Sequence, residues 1–172
     1  MEGCIAKTKD IYQIVSVVRD LDQVMKNWFA YVEFNTDSIK YYTKDAEGRE
    51  GVEVKGSYQG HAIAYRVKAV RFDFGGVDLM LVEPLNKEGG DPYSDYLKAY
   101  GNGFHHITLN VDNFDEAIQK YAERNYQPYM VMEGVGNRQV VFDLQNEMGP
   151  IMALTPDEIG PLGPRTADGK TI

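Results

Sequence analysis

The 172-residue chain predicts an α+β fold: two tandem βαβββ modules forming one eight-stranded, cup-shaped sheet with the helices outside. Three observations predict it. Ile14 to Val24 (IVSVVRDLDQV) and Ile107 to Ala117 (ITLNVDNFDEA) share one pattern of alternating strand residues, an acidic turn and the start of a helix. Val67 to Val82 alternates β-branched and aromatic residues on both sides of Gly75-Gly76, a strong hairpin signal. Arg138 to Thr155 reads as a second hairpin with a longer turn, and 79–84 (LMLVEP) matches 151–156 (IMALTP).

Each element follows from a local signal. The first helix is expected over Asp20–Tyr31 and the second over Asn113–Arg124. Asp20 or Asp22 would cap the first and Asp112 or Asp115 the second, by accepting from free backbone N–H groups. Val24, Met25, Trp28 and Phe29 form an apolar stripe at helical spacing, as do Ala117, Ile118, Tyr121 and Ala122. Short second strands are expected near Ser38–Thr43 and Gln127–Glu133. The domain spans 10–156, with module 1 at about 10–85, a linker at 86–102 and module 2 at about 103–156. Lys44–Gly60 is polar and glycine-rich and reads as an extended loop or a small extra hairpin near the pocket mouth. Residues 157–172 read as an irregular tail.

Composition narrows the function. A net charge of −8 repels phosphate backbones and anionic headgroups, so neither nucleic acid nor membrane is an expected partner. One cysteine, Cys4, allows no internal disulfide framework and no cysteine metal cluster. No signal peptide or membrane span is read, and the expected location is cytoplasmic. Twelve tyrosines suit a pocket or interface, although most are expected to be ordinary core and surface residues.

Strand alternation separates the two faces of the sheet. Ile107, Leu109 and Val111 are apolar and face the helix, so His106, Thr108 and Asn110 face the concave side, and by the repeat so does Gln13. Pairing Phe74 with Val77 and Phe72 with Leu79 puts Arg71, Asp73, Asp78 and Met80 on the concave side and Val70, Phe72, Phe74, Leu79 and Leu81 toward the helix. Extending the alternation adds Tyr65. In the second half Gln139, Val141, Asp143, Met152 and Leu154 take the equivalent positions. A lining that mixes apolar groups with a few aimed polar ones is what a small-molecule site needs.

With the stretch GFHHITLNVD at 103–112 and the paired modules in view, the chain resembles the vicinal oxygen chelate superfamily over about 10–156. Within it the chain is most similar to the glyoxalase and methylmalonyl-CoA epimerase branch. The resemblance implies a divalent metal held by side chains at Gln13, Met80, His106 and Met152. A thioether is a soft ligand that suits a hard cation poorly, and Gln13 and His106 are neutral, so no metal and no other cofactor is expected here. The resemblance further implies enolate chemistry beside a carbonyl. Arg71 and Gln13 would stabilise the enolate oxygen, and His106, with an ordinary pKa of about 6.5, would carry the proton. Tyr65, Met80, Thr108, Asn110, Gln139 and Met152 would contact the substrate. Two bland readings stand beside these: Arg71 pairing with Asp73 or Asp78, and a structural His106. His105 is expected to be structural.

The substrate would be a small molecule with an acidic C–H beside a carbonyl. Size and the tyrosine-rich lining are similar to dihydrodaidzein racemases, which implies an isoflavanone. Lys44, Arg49 and Lys55 lie scattered among acids, which weighs against coenzyme A phosphates. The alternatives are a metal-dependent glyoxalase-type lyase or dioxygenase, or a non-catalytic module binding an aromatic compound. A homodimer is expected by similarity.

Overall fold

The computed structural model describes residues 4–134 and 137–156; the predicted tail at 157–172 lies outside them. In chain order the elements are β1 (Thr8–Val17), α1 (Leu21–Tyr31), β2 (Lys40–Tyr42), β3 (Val52–Tyr58), β4 (His61–Phe74), β5 (Val77–Pro84), α2 (Pro92–Tyr100), β6 (Gly103–Val111), α3 (Phe114–Glu123), β7 (Met130–Gly134), β8 (Asn137–Asp143), α4 (Gln145–Met148) and β9 (Ile151–Pro156). The fold is α+β; the second half keeps the strand-helix-strand-strand-strand order that the repeat predicts, with the short α4 inserted, and the first half carries one strand more, β3, so the described residues form nine strands rather than eight.

The chain divides into two compact units. One comprises Gln13–Val54 and Ala64–His106. Its strand order is β1-β5-β4-β2, with β1 parallel to β5 and the remaining pairs antiparallel. The β4–β5 hairpin pairs Phe74 with Val77, Phe72 with Leu79 and Arg71 with Met80, as the alternation requires. Gly75 and Gly76 hold φ of 69° and 90°, and two successive positive values are what a tight two-residue turn demands. On one face Val70, Phe72, Leu79 and Leu81 pack with Leu21, Val24, Met25 and Trp28 of α1. Trp28 meets the edges of Phe34, Phe72 and Phe74 at centroid distances of 5.9, 5.3 and 5.6 Å. Phe29, the last member of the expected stripe, is instead half-exposed.

The other unit comprises Lys55–Ile63 and the described residues up to Tyr12 and from Ile107 on. Its strand order is β6-β9-β8-β7-β3, with β6 parallel to β9 and the rest antiparallel. Leu109, Val111, Val140, Phe142, Met152 and Leu154 pack with Phe114, Ala117 and Tyr121 of α3.

Three features depart from expectation. Lys44–Gly60 contains a full strand, β3, which turns into β4 through Gln59 and Gly60, both at positive φ. The linker at 86–102 contains α2, started by a capping box in which Asp91 accepts from Ser94 N–H and Ser94 accepts from Asp91 N–H, with Pro92 at the first helical position. Asp20 caps α1 by accepting from Gln23 N–H, whereas α3 starts at Asn113 without a side-chain cap. Asn113 turns instead to the N-terminal segment, accepting from Lys7 N–H and donating to the Ile5 carbonyl.

Glu83 fastens α1 to the sheet. Its buried carboxylate accepts from Leu21 N–H at the helix start and pairs with Lys68 at 3.1 Å and Lys87 at 2.9 Å. Burial pushes its pKa up, but Lys87, the Leu21 N–H and Lys68 together outweigh burial and hold it below its ordinary 4.5. A depressed folded pKa contributes stability above the unfolded value, and that stability is lost as pH falls through the folded value. Glu83→Gln is therefore expected to cost about 2 kcal/mol near neutrality. Urea unfolding at pH 7 and in strong acid tests this. The gap between variant and wild type should close in acid, and an unchanged gap would sink the assignment.

Candidate functional site

The side of β1 away from α1 carries Gln13, Val15 and Val17. Gln13 lies opposite Asp78 and Val15 opposite Met80, and Arg71 is opposite Met80 on the other flank of β5. Gln13, Arg71, Asp78 and Met80 therefore share one face within one compact unit. Gln13 is 1% exposed and Arg71 2%. A guanidinium so deeply placed requires a counter-charge, because desolvating an isolated ion costs several kcal/mol. Asp78 supplies it: its Oδ2 accepts from Arg71 Nη2 and, at 3.4 Å, from Gln13 Nε2. Asp73 is not the partner; it is exposed and accepts from Gly76 N–H at the hairpin turn. The Tyr42 hydroxyl from β2 also accepts from Arg71; burial raises its pKa and the adjacent guanidinium opposes the rise. Neither Asp78 as the common partner nor Tyr42 is among the sequence-predicted site residues, although Asp78 carries the right parity.

The same compact unit holds the two histidines of β6. Strand neighbours ordinarily point to opposite faces. Here His105 and His106 are both fully buried, their ring centroids are 5.0 Å apart, and their Nδ1 atoms approach to 2.7 Å. His105 also packs against Tyr93 and Tyr96 of α2, at 5.2 and 5.1 Å between centroids, and Tyr93 meets the edge of Tyr65 at 6.0 Å. Burial pulls the His105 pKa from 6.5 down to about 4, a shift that the nearby Pro92 backbone partly opposes. His105 thus touches His106 directly, where the sequence suggests only a structural residue.

The remaining predicted residues lie in the other unit. Thr108 is fully buried and its Oγ1 has no hydrogen-bond partner among the described residues. Gln139 is buried. Asn110 is partly exposed and donates to Asp10 at 2.8 Å. Met152 is a correction: it packs with Leu154 in the apolar cluster around α3 and does not share a face with Thr108. The cause is register. Met80 lies opposite Val15, two residues on from Gln13, but the residue opposite Thr108, two on from His106, is Ala153. The turn that contains α4 shifts β9 by one position, which flips every side chain on it.

These facts test the metal that the family resemblance implies. Of the four positions, Met152 faces the α3 cluster, Met80 offers a thioether, and the Gln13 amide is engaged with Asp78. The Arg71 cation already occupies the same strand face, and like charges repel. No three His, Cys, Asp or Glu side chains among the described residues gather in a geometry to hold an ion. The donor set does not fit a hard divalent cation.

A model of the glyoxalase/bleomycin resistance protein/dioxygenase superfamily matches residues 12–142. No curated protein matches the chain. Among solved structures, a hypothetical protein from Bacillus halodurans C-125 superposes with a TM-score of 0.59 at 20% identity, covering 87% of this chain and 95% of that one. Methylmalonyl-CoA epimerase from Mycobacterium tuberculosis gives 0.55 at 12% identity, covering 91% of each chain. A Streptomyces coelicolor methylmalonyl-CoA epimerase variant in complex with 2-nitronate-propionyl-CoA gives 0.59 at 17%, covering 87% and 95%. At these identities the likeness is one of fold. None of the three is named as an isoflavanone racemase. No helix among the described residues is long and apolar enough to cross a membrane.

Proposed function

Because the chain belongs to the glyoxalase/bleomycin resistance protein/dioxygenase superfamily, we propose that it is an isomerase, an epimerase or racemase that inverts a carbon beside a carbonyl through an enolate, and that it does so without a bound metal. The observation that carries this reading is the buried Gln13–Asp78–Arg71 cluster, which places a fixed cation and an amide in the compact unit that also holds His106. Preorganised donors in a site closed to water can stabilise an enolate oxygen at no reorganisation cost. In the proposed step His106 takes the proton from the carbon beside the carbonyl. The C–H electron pair moves into the enolate, whose oxygen charge faces Arg71 and Gln13. Return of a proton to the opposite face inverts the carbon, and the cycle is redox-neutral. Met80 and Tyr65, in the same compact unit, are the proposed substrate contacts, and a homodimer belongs to the same reading.

The epimerase neighbours act, by their names, on a coenzyme A ester. Arg49, one of three cations near the loop that could meet coenzyme A phosphates, is held by Asp45 and Glu47. That favours a smaller carbonyl substrate, an isoflavanone among them. The test is deuterium uptake from heavy water into one enantiomer of an isoflavanone and, separately, into a methylmalonyl thioester, with metal analysis of the same preparation. Exchange at the carbon beside the carbonyl, with metal far below one equivalent, is the expected result. Stoichiometric iron, nickel, zinc or cobalt would remove the metal-free reading. Tight binding without exchange at any carbon would favour a binding module.

A further inference from the structure

Helix α1 ends on an open aromatic groove that the proposed reaction does not use. The groove has a volume of about 410 Å³ and is lined by residues 29–34 and Thr36. Small-molecule sites occupy about 300–1,000 Å³, so the space suits a small ligand. Phe29 and Phe34 stack in it at 5.8 Å between centroids, with 25° between the ring planes. Phe29 is 50% exposed and Tyr31 82%, so aromatic surface meets solvent here instead of the core. Phe34 is backed by Trp28 and Phe72, at 5.9 and 4.5 Å between centroids, which fixes one wall of the groove. The groove belongs to the α1 side of the sheet, whereas Gln13 and Arg71 lie on the side away from α1.

Electrostatics narrow the ligand. Among the described residues lining the groove, Glu33 carries a charge and none is basic. Glu33 is exposed, and its carboxylate pairs with no basic side chain among the described residues. A helix C-terminus concentrates roughly half a negative charge on its last carbonyls, and a cation placed there is stabilised. In α1 the Trp28 carbonyl accepts from Val32 N–H at 3.0 Å, and the last turn holds no basic residue. The carbonyls of Phe29, Ala30 and Tyr31 follow it without a helical partner. Aromatic ring faces are negative as well. A carboxylate, a helix end and ring faces thus converge on one largely apolar groove. A hard metal ion fits it poorly, because such an ion needs several oxygen ligands in place of its water and the aromatic walls supply none. A quaternary ammonium spreads its charge over methyl groups that pack against rings. We propose that the groove at the end of α1 is a second ligand site, separate from the Gln13–Asp78–Arg71 cluster, that binds a small soluble molecule through a quaternary ammonium group held among the Phe29, Tyr31 and Phe34 rings and beside the Glu33 carboxylate.

The probes are choline and dimethylbutanol, its neutral isostere with carbon in place of nitrogen. In an amide NMR titration of the full chain, choline should produce saturable shifts at residues 29–36, and the neutral alcohol should bind at least about 5-fold more weakly. Glu33→Gln and Phe29→Leu should each weaken choline binding by about 2–5-fold. Phe29→Leu keeps apolar bulk on a half-exposed position and removes only the ring, so both variants should stay folded. Equal binding of choline and the alcohol would reduce the groove to an apolar surface and overturn the proposal. So would the absence of saturable shifts, or shifts centred on Gln13 and Arg71. Changes at 29–36 that grow with protein concentration and no probe would mean that a second copy covers the groove. Binding to phosphatidylcholine vesicles with none to free choline would make it a membrane contact; either result ends the claim of a soluble ligand. The comparison of the two probes needs only the wild-type chain. No readout depends on proton exchange, so this proposal and the isomerase reading fail separately.

Discussion

His106→Ala is expected to lower proton exchange at the substrate carbon by about 10²–10⁴-fold while leaving a folded protein. The size of the effect follows from the role. A positioned base that is removed leaves only water and the remaining donors to move the proton. The fold should survive because His106 belongs to neither apolar cluster around a helix. Loss of its buried ring opens a cavity costing on the order of 2–3 kcal/mol, against a total stability of about 5–15 kcal/mol. His106→Gln, nearer in volume, separates the two effects: it should be as inactive as alanine and closer to wild type in thermal unfolding. The measurement is deuterium uptake followed beside the unfolding midpoint for both variants. Wild-type exchange in His106→Ala would move the proton to another group, with Asp78 and Tyr65 the first to test. His61, exposed at the start of β4, is a poor substitute.

How much of this was legible without coordinates differs from strand to strand. β1, β6 and both long helices announce themselves through period, because a face buried against a helix must alternate and a helix must carry a stripe. The Gly75-Gly76 turn fixes its own register, and with it the common face of Arg71, Asp78 and Met80. The second hairpin has no such turn. A four-residue helix interrupts it, and a shift of one position was enough to send Met152 to the wrong face. Helix α2 carries a readable mark in Asp91-Pro92 with Ser94 behind them, a helix start signal inside the segment that the repeat alone marks only as the linker between modules. The His105–His106 contact left none. Alternation argues that neighbours diverge, and only the tilt of two rings brings their Nδ1 atoms together. Parity placed Asp78 beside Arg71, but the choice between Asp73 and Asp78 rests on distances that no pattern encodes.

Asp78→Ala is expected to cost about 3–5 kcal/mol, the largest stability loss anticipated for a single polar substitution here. Arg71 is 2% exposed and the Asp78 side chain 10%, so the pair is desolvated and removal of one partner leaves a charge without its counter-ion. The Tyr42 hydroxyl remains on the guanidinium, but one neutral hydrogen bond is worth only about 1 kcal/mol net and cannot replace a carboxylate. Gln13 loses its acceptor in the same step. The double variant Arg71→Met with Asp78→Leu decides what the pair is for. Replacing a buried ion pair by apolar residues of similar volume is often neutral or stabilising by about 1–4 kcal/mol, so the double variant should regain most of the stability lost by Asp78→Ala. If the pair exists to present a cation to an enolate, the double variant should be stable and catalytically silent, about 10²-fold or more below wild type in proton exchange. Urea denaturation and deuterium uptake on the three proteins give both readings. A double variant that is stable and exchanges protons at the wild-type rate would leave Arg71 a structural ion and return the oxyanion role to other donors. An Asp78→Ala protein within about 1 kcal/mol of wild type would show that water reaches the guanidinium, and the closed, preorganised character of the site would be lost with it.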